Sequence, residues 1–227
     1  MPTRDGRRLH AMVPGPTDGP AVVFEAGAAA SRSSWAAVQS LVAGDARTIV
    51  YDRSGLSRSA PDPSGRTLRR MTDELGSVLD HVAPGPFILA GHSAGGPIAR
   101  LAVAVDPERV AGLVLVDPAD EAADVLFGRS FRRAERLAVG AGAILVGLRL
   151  LGFFFRDHLR GVPDDVRDDL RREAFTPGVI RTRREQARTF LDELAQWRAL
   201  APVFGRCRRV KCSLVDLRGW VVWWPPA

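Results

Sequence analysis

The segment Gly91-His92-Ser93-Ala94-Gly95-Gly96 constrains this chain more than any other, because it directly follows the apolar run Phe87-Ile88-Leu89-Ala90. The apolar run predicts a buried strand, and the residues from Pro97 to Val105 predict a helix. A strand, a Gly-x-Ser-x-Gly turn and a helix in this order are typical of a nucleophile elbow, which lifts a serine hydroxyl above a sheet. We therefore predict that Ser93 is a nucleophile. The start of the following helix is expected to favour developing negative charge.

Strand and helix patterns alternate through the first 117 residues, which predicts a doubly wound, mostly parallel α/β sheet. The expected strands are residues 9–13, 21–25, 47–51, 87–90 and 111–116, and the expected helices are residues 34–42, 67–82 and 97–105. Ligands bind at the carboxyl ends of the strands in such sheets. Ser93 and Asp117 both follow predicted strands, as do Glu25-Ala26-Gly27 and Asp52-Arg53. We expect all of them to lie at that edge.

Two of the predicted helices carry an apolar stripe at helical spacing. In the longer helix the stripe consists of Leu68, Met71, Leu75, Val78, Leu79 and Val82. In the shorter helix it consists of Trp35, Val38, Leu41 and Val42. In each helix the apolar residues are expected to share one face.

The alternation stops after Asp120, and residues 121–200 have helical spacing without a convincing strand. We expect these residues to form a helical cap that shapes an apolar pocket over the strand ends. The run Leu137–Phe155 is interrupted by Arg149 and by glycines, so it predicts a buried or lid helix and no stable membrane span. The Phe153-Phe154-Phe155 run either lines the pocket or packs inside the cap, and packing is favoured. The chain thus divides into a core (1–120), a cap (121–200) and a tail (201–227).

Composition makes some classes of function less probable than others. The formal net charge is +6, yet Lys211 is the only lysine, and acidic residues are interleaved with the arginines. This mixed pattern disfavours nucleic-acid binding. Cys207 and Cys212 do not have the spacing of a zinc or redox site, so no metal or cofactor is expected. Residues 1–20 lack an apolar signal-peptide core, and cytoplasmic localisation is the resulting expectation.

From about Arg7 to Glu121 the chain resembles the α/β-hydrolase superfamily, in the branch of cofactor-free serine hydrolases that carry a cap. Phe24-Glu25-Ala26-Gly27-Ala28 is similar to the His-Gly-x loop of that family, with Ala26 in place of the histidine. The run from Tyr51 to Ser59 is similar to its Asp-Arg-x-Gly-x-Gly-x-Ser loop, with Ser57 replacing the second glycine. The elbow and the run from Asp106 to Asp117 are also typical of the family.

The resemblance implies cleavage of a small ester-like substrate with an apolar part, through an acyl-enzyme on Ser93. It implies an oxyanion hole made by the backbone N–H groups of Ala28 and Ala94. Serine at the nucleophile position disfavours the dehalogenase and epoxide-hydrolase chemistry of this fold. The triad acid would be Asp117, or Asp216 after residue 200, although the surroundings of Asp216 do not resemble the usual motif.

The resemblance also implies a triad histidine in a Gly-x-Gly-His-like loop after the last strand, and this sequence has no comparable segment. His92 is adjacent to the nucleophile in the elbow and points elsewhere. The other histidines are poorly placed along the chain for this role; they are His10, His81 and His158. Two hypotheses therefore stay open. The chain is a serine hydrolase, or it is an impaired or truncated relative that keeps at most the binding of a small apolar ligand.

The tail differs in composition from the rest, since it holds both cysteines, the only lysine and three of the five tryptophans. A shifted reading frame or premature stop near residues 201–206 is the simplest hypothesis for this change. Such a tail would replace the last core strands and leave an atypical C-terminus. A sheet without those strands exposes an edge, so self-association through that edge is expected.

Overall fold

Seven strands form one mixed, mostly parallel sheet in the computed structural model of the chain, which describes residues 1–18, 20–82, 84–119, 124–148, 150, 163–174, 176–204, 211–215 and 221–223. For residues 199–204, 211–215 and 221–223 only the backbone is described. The strands are β1 (Ala11–Met12), β2 (Ala21–Glu25), β3 (Arg47–Tyr51), β4 (Phe87–His92), β5 (Val110–Val116), β6 (Lys211–Val215) and β7 (Val221–Trp223). Their order is β1-β3-β2-β4-β5-β6-β7, and only β1 and β7 run antiparallel to their neighbours. This confirms the predicted fold class.

The described helices are α1 (Ala36–Val42), α2 (Leu68–Val82), α3 (Gly95–Val105), α4 (Asp124–Phe127), α5 (Arg129–Gly147), α6 (Asp164–Glu173) and α7 (Pro177–Phe204). Short 3-10 turns cover Arg32–Trp35 and Pro107–Arg109. The bounds of β1 to β5 and α1 to α3 agree with the predicted ones to within two residues. Helices α2 and α3 pack on each other, and α5 packs against α7.

The apolar stripe of α2 is confirmed, because all six of its residues are exposed by 6% or less. The residues predicted to share one face around α1 differ in burial. Trp35 is buried, but Val38 and Leu41 are 41% and 81% exposed. Helix α1 has only two turns and contacts β3 and the preceding 3-10 turn. Only residues that face those two elements become buried, and in α1 that residue is Gln39.

The tail continues the sheet instead of ending it at β5. Strand β6 pairs with β5 in parallel, from Gly112↔Lys211 to Val116↔Val215, and β7 pairs with β6. Strand β5 is therefore not an edge of the described sheet, because the backbone of β6 satisfies its hydrogen-bonding groups on that side. The outermost strands of the described sheet are β1 and β7. Self-association stays a prediction, and Cys207, Trp220 and Trp224 lie outside the described residues.

No helix among the described residues is long and apolar enough to cross a membrane. Helix α5 contains the first part of the run Leu137–Phe155, and its Leu137 and Ile144 are 73% and 65% exposed. Val146 of the same helix is buried, so α5 is buried on one side only, and its role as a lid stays a prediction. The three phenylalanines of the run lie outside the described residues.

Ion pairs connect helix α6 to the first part of the chain. The residues that form them are here called the Arg32 cluster (Arg32, Asp52, Arg58, Asp169 and Glu173). Arg32 is 2% exposed and lies 2.6 Å from Asp52, 3.0 Å from Asp169 and 2.7 Å from Glu173. Arg58 also pairs with Asp169 and Glu173 of α6. The described residues between 124 and 204 are helical, as expected, and their role as a cap stays a prediction.

We expect the contact between α6 and the core to weaken in acid. Burial raises the pKa of the Glu173 carboxyl, but hydrogen bonds from Arg32 and Arg58 outweigh it, so the pKa lies below its ordinary value. A lowered folded-state pKa stabilises the fold above the unfolded-state value of about 4.3, and this contribution is lost as the pH falls through the folded-state pKa. The protection of the amides of residues 164–173 against exchange, measured relative to the intrinsic rate at each pH, should therefore fall below about pH 4. In Glu173→Gln this part of the pH dependence should disappear, and an unchanged profile would contradict the role of Glu173.

Candidate active site

Ser93 occupies a strained turn between β4 and α3. Its φ is +52°, in the left-handed region that L-residues other than glycine rarely adopt. The turn is tight, because a Cβ on Gly91 would lie 2.7 Å from the backbone oxygen of Gly95. The Ser93 N–H donates to Val116 O (3.1 Å), and Ser93 O accepts from Ala119 N (2.9 Å). The turn is therefore pinned to the segment that follows β5.

Asp117 lies beside Ser93 in the neighbouring loop. The last register pair of β4 and β5 is His92↔Val116, so Ser93 and Asp117 leave adjacent strands at the same level. Asp117 is exposed and also has a positive φ of +42°. The structure thus brings these two predicted residues to one edge of the sheet. Their catalytic roles remain predictions.

The two predicted oxyanion donors flank the same serine. Ala94 is buried and is the N-cap of α3, where backbone N–H groups lack partners within the helix. Pro97 has no N–H, and Gly96 N donates to Ser93 O (3.0 Å), so few free donors remain at this helix start. The loop after β2 approaches from the other side, since a Cβ on Gly27 would lie 3.4 Å from Ser93 Cβ. This places Ala28, the next residue, in the loop that borders the serine.

No histidine of the described part of the chain hydrogen-bonds to the Ser93 hydroxyl. The His92 ring lies edge-on to Trp35, with 6.3 Å between ring centroids, and its Nδ1 faces Gly27. His10 lies near the Arg32 cluster, where burial and then Arg32 lower its pKa. His81 ends α2. His158 and Asp216 lie outside the described residues, so the structure assigns no triad base.

A buried cluster of charges lies beneath the loop after β2. Arg53 pairs with Glu25, whose other carboxylate oxygen accepts from the Tyr51 hydroxyl. All three side chains are at most 2% exposed. Burial raises the pKa of Glu25, and the pairing with Arg53 and Tyr51 opposes it. Burial, followed by the charge of Glu25, also raises the pKa of Tyr51 well above its ordinary value.

The structure describes a cavity of about 430 Å³ between α5 and α7. Its walls include Arg132, Arg136, Arg184, Arg188, Val139 and Leu191. None of the four predicted site residues lines it, so this cavity is not the predicted substrate pocket. Among the described residues, no group of three or more His, Cys, Asp or Glu side chains is arranged to hold a metal ion.

Comparison with known proteins agrees with this geometry. The family model for the alpha/beta hydrolase fold matches residues 20–162, which is more than half of the chain. The chain belongs to the alpha/beta hydrolase fold family. Its predicted membership in the α/β-hydrolase superfamily is thereby confirmed.

Several curated relatives match about half of the chain or less. YqjL of Bacillus subtilis is 31% identical over 119 residues, covering 52% of this chain and 47% of its own length. "Putative carbamate hydrolase RutD" of Variovorax paradoxus is 35% identical over 111 residues, covering 48% and 42%. "Lipase LipV" of Mycobacterium tuberculosis is 42% identical over 53 residues, covering 23% and 20%. The chain spans less than half the length of each of these relatives.

Solved structures share the fold at low sequence identity. An alpha/beta hydrolase from Sphaerobacter thermophilus matches with a TM-score of 0.63 and 22% identity, over 95% of this chain and 80% of its own. A deformylase of N-formylmaleamic acid from Pseudomonas putida S16 matches with a TM-score of 0.66 and 18% identity, over 93% and 79%. At these identities the likeness shows the fold alone.

Sequence reasoning gave no role to Glu25 and Arg53, although both stand in motifs that it singled out. The signal was available, because each charge comes at or just after the end of an apolar strand, where burial is expected. Charged side chains are rarely buried without a partner. What the sequence could not show is which opposite charge each of them meets, since the two residues are separated by 28 positions.

Proposed function

We propose that this chain is a serine hydrolase that cleaves a carboxylic ester or related acyl bond through an acyl-enzyme on Ser93. Asp117 serves as the triad acid, and the N–H groups of Ala28 and Ala94 form the oxyanion hole. One observation carries the proposal. Ser93 has a left-handed backbone at the end of β4, and the loop after β2 lies against its Cβ. This arrangement supports the proposal that the hydroxyl and the two backbone donors act on one carbonyl group.

In the proposed reaction, Ser93 Oγ bonds to the acyl carbon and the carbonyl oxygen becomes an oxyanion between the two N–H donors. The intermediate collapses as the bond to the leaving group breaks, and the hydroxyl proton of Ser93 leaves with that group. Water then attacks the acyl-enzyme, which releases the acid and restores the serine. Carbamates and esters both present such a carbonyl. The names of RutD and LipV, which refer to carbamate hydrolysis and lipase activity, are therefore compatible with the proposal.

A second candidate function is supported by the lack of a histidine at the Ser93 hydroxyl among the described residues. Without a general base, a serine hydroxyl is a weak nucleophile at neutral pH. Loss of a triad member leaves only roughly a 10³–10⁴-fold advantage over water. The chain would then be an impaired relative that binds a small apolar molecule.

Labelling with a fluorophosphonate probe tests the proposed function. The wild-type chain is expected to carry one label on Ser93, and Ser93→Ala is expected to carry none. Ser57→Ala is the matched control, because Ser57 is another loop serine with a positive φ of +45° and should be dispensable. A folded wild-type chain that resists labelling would contradict the proposal and favour the second candidate. Labelling followed by measurable hydrolysis of short-chain p-nitrophenyl esters would exclude that candidate.

A further inference from the structure

Arg53 makes an unusual set of contacts for a buried arginine. Its guanidinium is 2% exposed and donates to the Glu25 carboxylate and to two backbone carbonyls, Ala26 O and Gly27 O. Both carbonyls belong to the loop that borders Ser93. Glu25 is itself held by the Tyr51 hydroxyl, so the charge partner of Arg53 is fixed in place. The planar fork of an arginine can address several acceptors at once in a set geometry.

These contacts control the direction of the next backbone donor. A peptide unit is planar and trans, so its C=O and N–H groups point to opposite sides. The unit between residues 27 and 28 contains Gly27 O and the Ala28 N–H. When Arg53 fixes the direction of Gly27 O, it also fixes the opposite direction of the Ala28 N–H. Gly27 lies against Ser93, so the orientation of this peptide decides whether its C=O or its N–H group faces the serine.

We infer that Arg53, held by Glu25, positions the Ala28 N–H toward the carbonyl oxygen of a substrate bound at Ser93. This inference rests on the proposed function, because Ala28 is an oxyanion donor only if Ser93 attacks an acyl group. Arg53 is a positioning residue in this scheme and does not itself touch the substrate. A buried ion pair then preorganises the site. The strained residue Ala29 (φ +57°) lies in the same loop, two positions after Gly27.

The loop contains a reporter of this arrangement that does not depend on catalysis. The Ala30 N–H donates to the same Gly27 O, at 3.2 Å. If Arg53 holds that oxygen, loss of the guanidinium should loosen the turn and speed amide exchange at Ala30. Exchange of this amide therefore reads the position of the loop even in a chain that turns over no substrate.

The test compares Arg53→Lys with Arg66→Lys. Arg66 is an equally buried arginine that pairs with Glu74 at 3.5 Å, and no contact from it to the Ala26–Ala28 backbone is described. We expect Arg53→Lys to label with the fluorophosphonate at least roughly 10-fold more slowly, which is part of the 10²–10³ that one oxyanion donor contributes. Ala30 exchange should accelerate in the same variant. Arg66→Lys should match the wild type within about twofold in both readouts, since it leaves the donor in place.

A double variant that lacks both buried charges separates the effect on the loop from a loss of folding. Glu25→Gln/Arg53→Met removes both buried charges together, while the introduced amide oxygen can still accept from Tyr51. This double variant should show the same loop exchange as Arg53→Lys. A folded Arg53 variant with wild-type labelling rate and wild-type Ala30 exchange would overturn the inference. If the wild-type chain does not label at all, the proposed function fails, and Ala30 exchange alone still decides whether Arg53 holds the loop.

Discussion

Replacing Arg32 with methionine is expected to lower the free energy of unfolding by about 3–5 kcal/mol, the usual effect of removing one partner from a buried ion pair. Asp52 is fully buried, and its two carboxylate oxygens accept from the Arg32 backbone N–H (2.9 Å) and guanidinium (2.6 Å). The variant keeps the first contact and loses the second. A buried carboxylate is then left without its charge partner. Burial already raises the pKa of Asp52, so in the variant its ionised form becomes still less favourable.

Chemical denaturation of three variants measures this effect. Arg4→Met is the matched control, because Arg4 pairs with Asp80 at the same 2.6 Å, but the two side chains are 61% and 42% exposed. Exposed pairs contribute about 0–1 kcal/mol, so this variant should unfold close to the wild type. Arg32→Met/Asp52→Asn should recover most of the lost stability, because it removes the orphaned charge. If Arg32→Met lowered the free energy of unfolding no more than Arg4→Met does, the buried pair would not stabilise the fold.

The same substitution should also release α6. Arg32 is the one residue of the Arg32 cluster that pairs both with Asp52 in the core and with two acidic residues of α6. Arg58 is 49% exposed, and its ion pairs within the described part of the chain are with α6. Amide exchange in residues 164–173 should therefore rise more in Arg32→Met than in Arg58→Met. An equal rise in amide exchange in both variants would mean that Arg32 is not the main contact between α6 and the core.

The sheet and the elbow could be predicted from the sequence because both depend on local patterns. The stripe of α2 repeats over four turns, long enough for one face to be defined unambiguously. The elbow needs only small residues at fixed offsets from Ser93, and these are visible in the sequence. Strand β6 was missed because Lys211–Val215 mixes polar and apolar residues over only five positions. A run that short gives no reliable period.

The buried charges could not be predicted in the same way. Hydrophobic patterns give no information about pairs such as Arg32 and Glu173, which lie 141 positions apart and meet only in the folded chain. An isolated buried charge is unfavourable, whereas a paired one is tolerated. Burial of Glu25, Arg32 and Arg53 is thus decided by their partners. Motifs alone therefore led to the prediction of Ser93 but not to the pairing of these buried charges.

Gly95→Ala is expected to destabilise the fold by about 3 kcal/mol or more, at or above the upper end for overpacking a core. A Cβ on Gly95 would lie 2.3 Å from Glu25 O and 2.8 Å from Ala26 O. Both contacts are to backbone, which cannot move aside as the end of a side chain can. The first turn of α3 and the loop after β2 would have to separate.

Gly140→Ala is the matched control, since Gly140 lies inside α5 and a Cβ there meets nothing within 4 Å. Alanine in that helix interior should stabilise the fold by about 0.5–1 kcal/mol. Urea unfolding of both variants, with equal m-values, measures the difference. Because the same backbone carries the Ala28 N–H, residual folded Gly95→Ala should also label poorly at Ser93. A Gly95→Ala chain as stable as the wild type would mean that the elbow and the loop are not in contact, and the proposed oxyanion hole would lose one of its two sides.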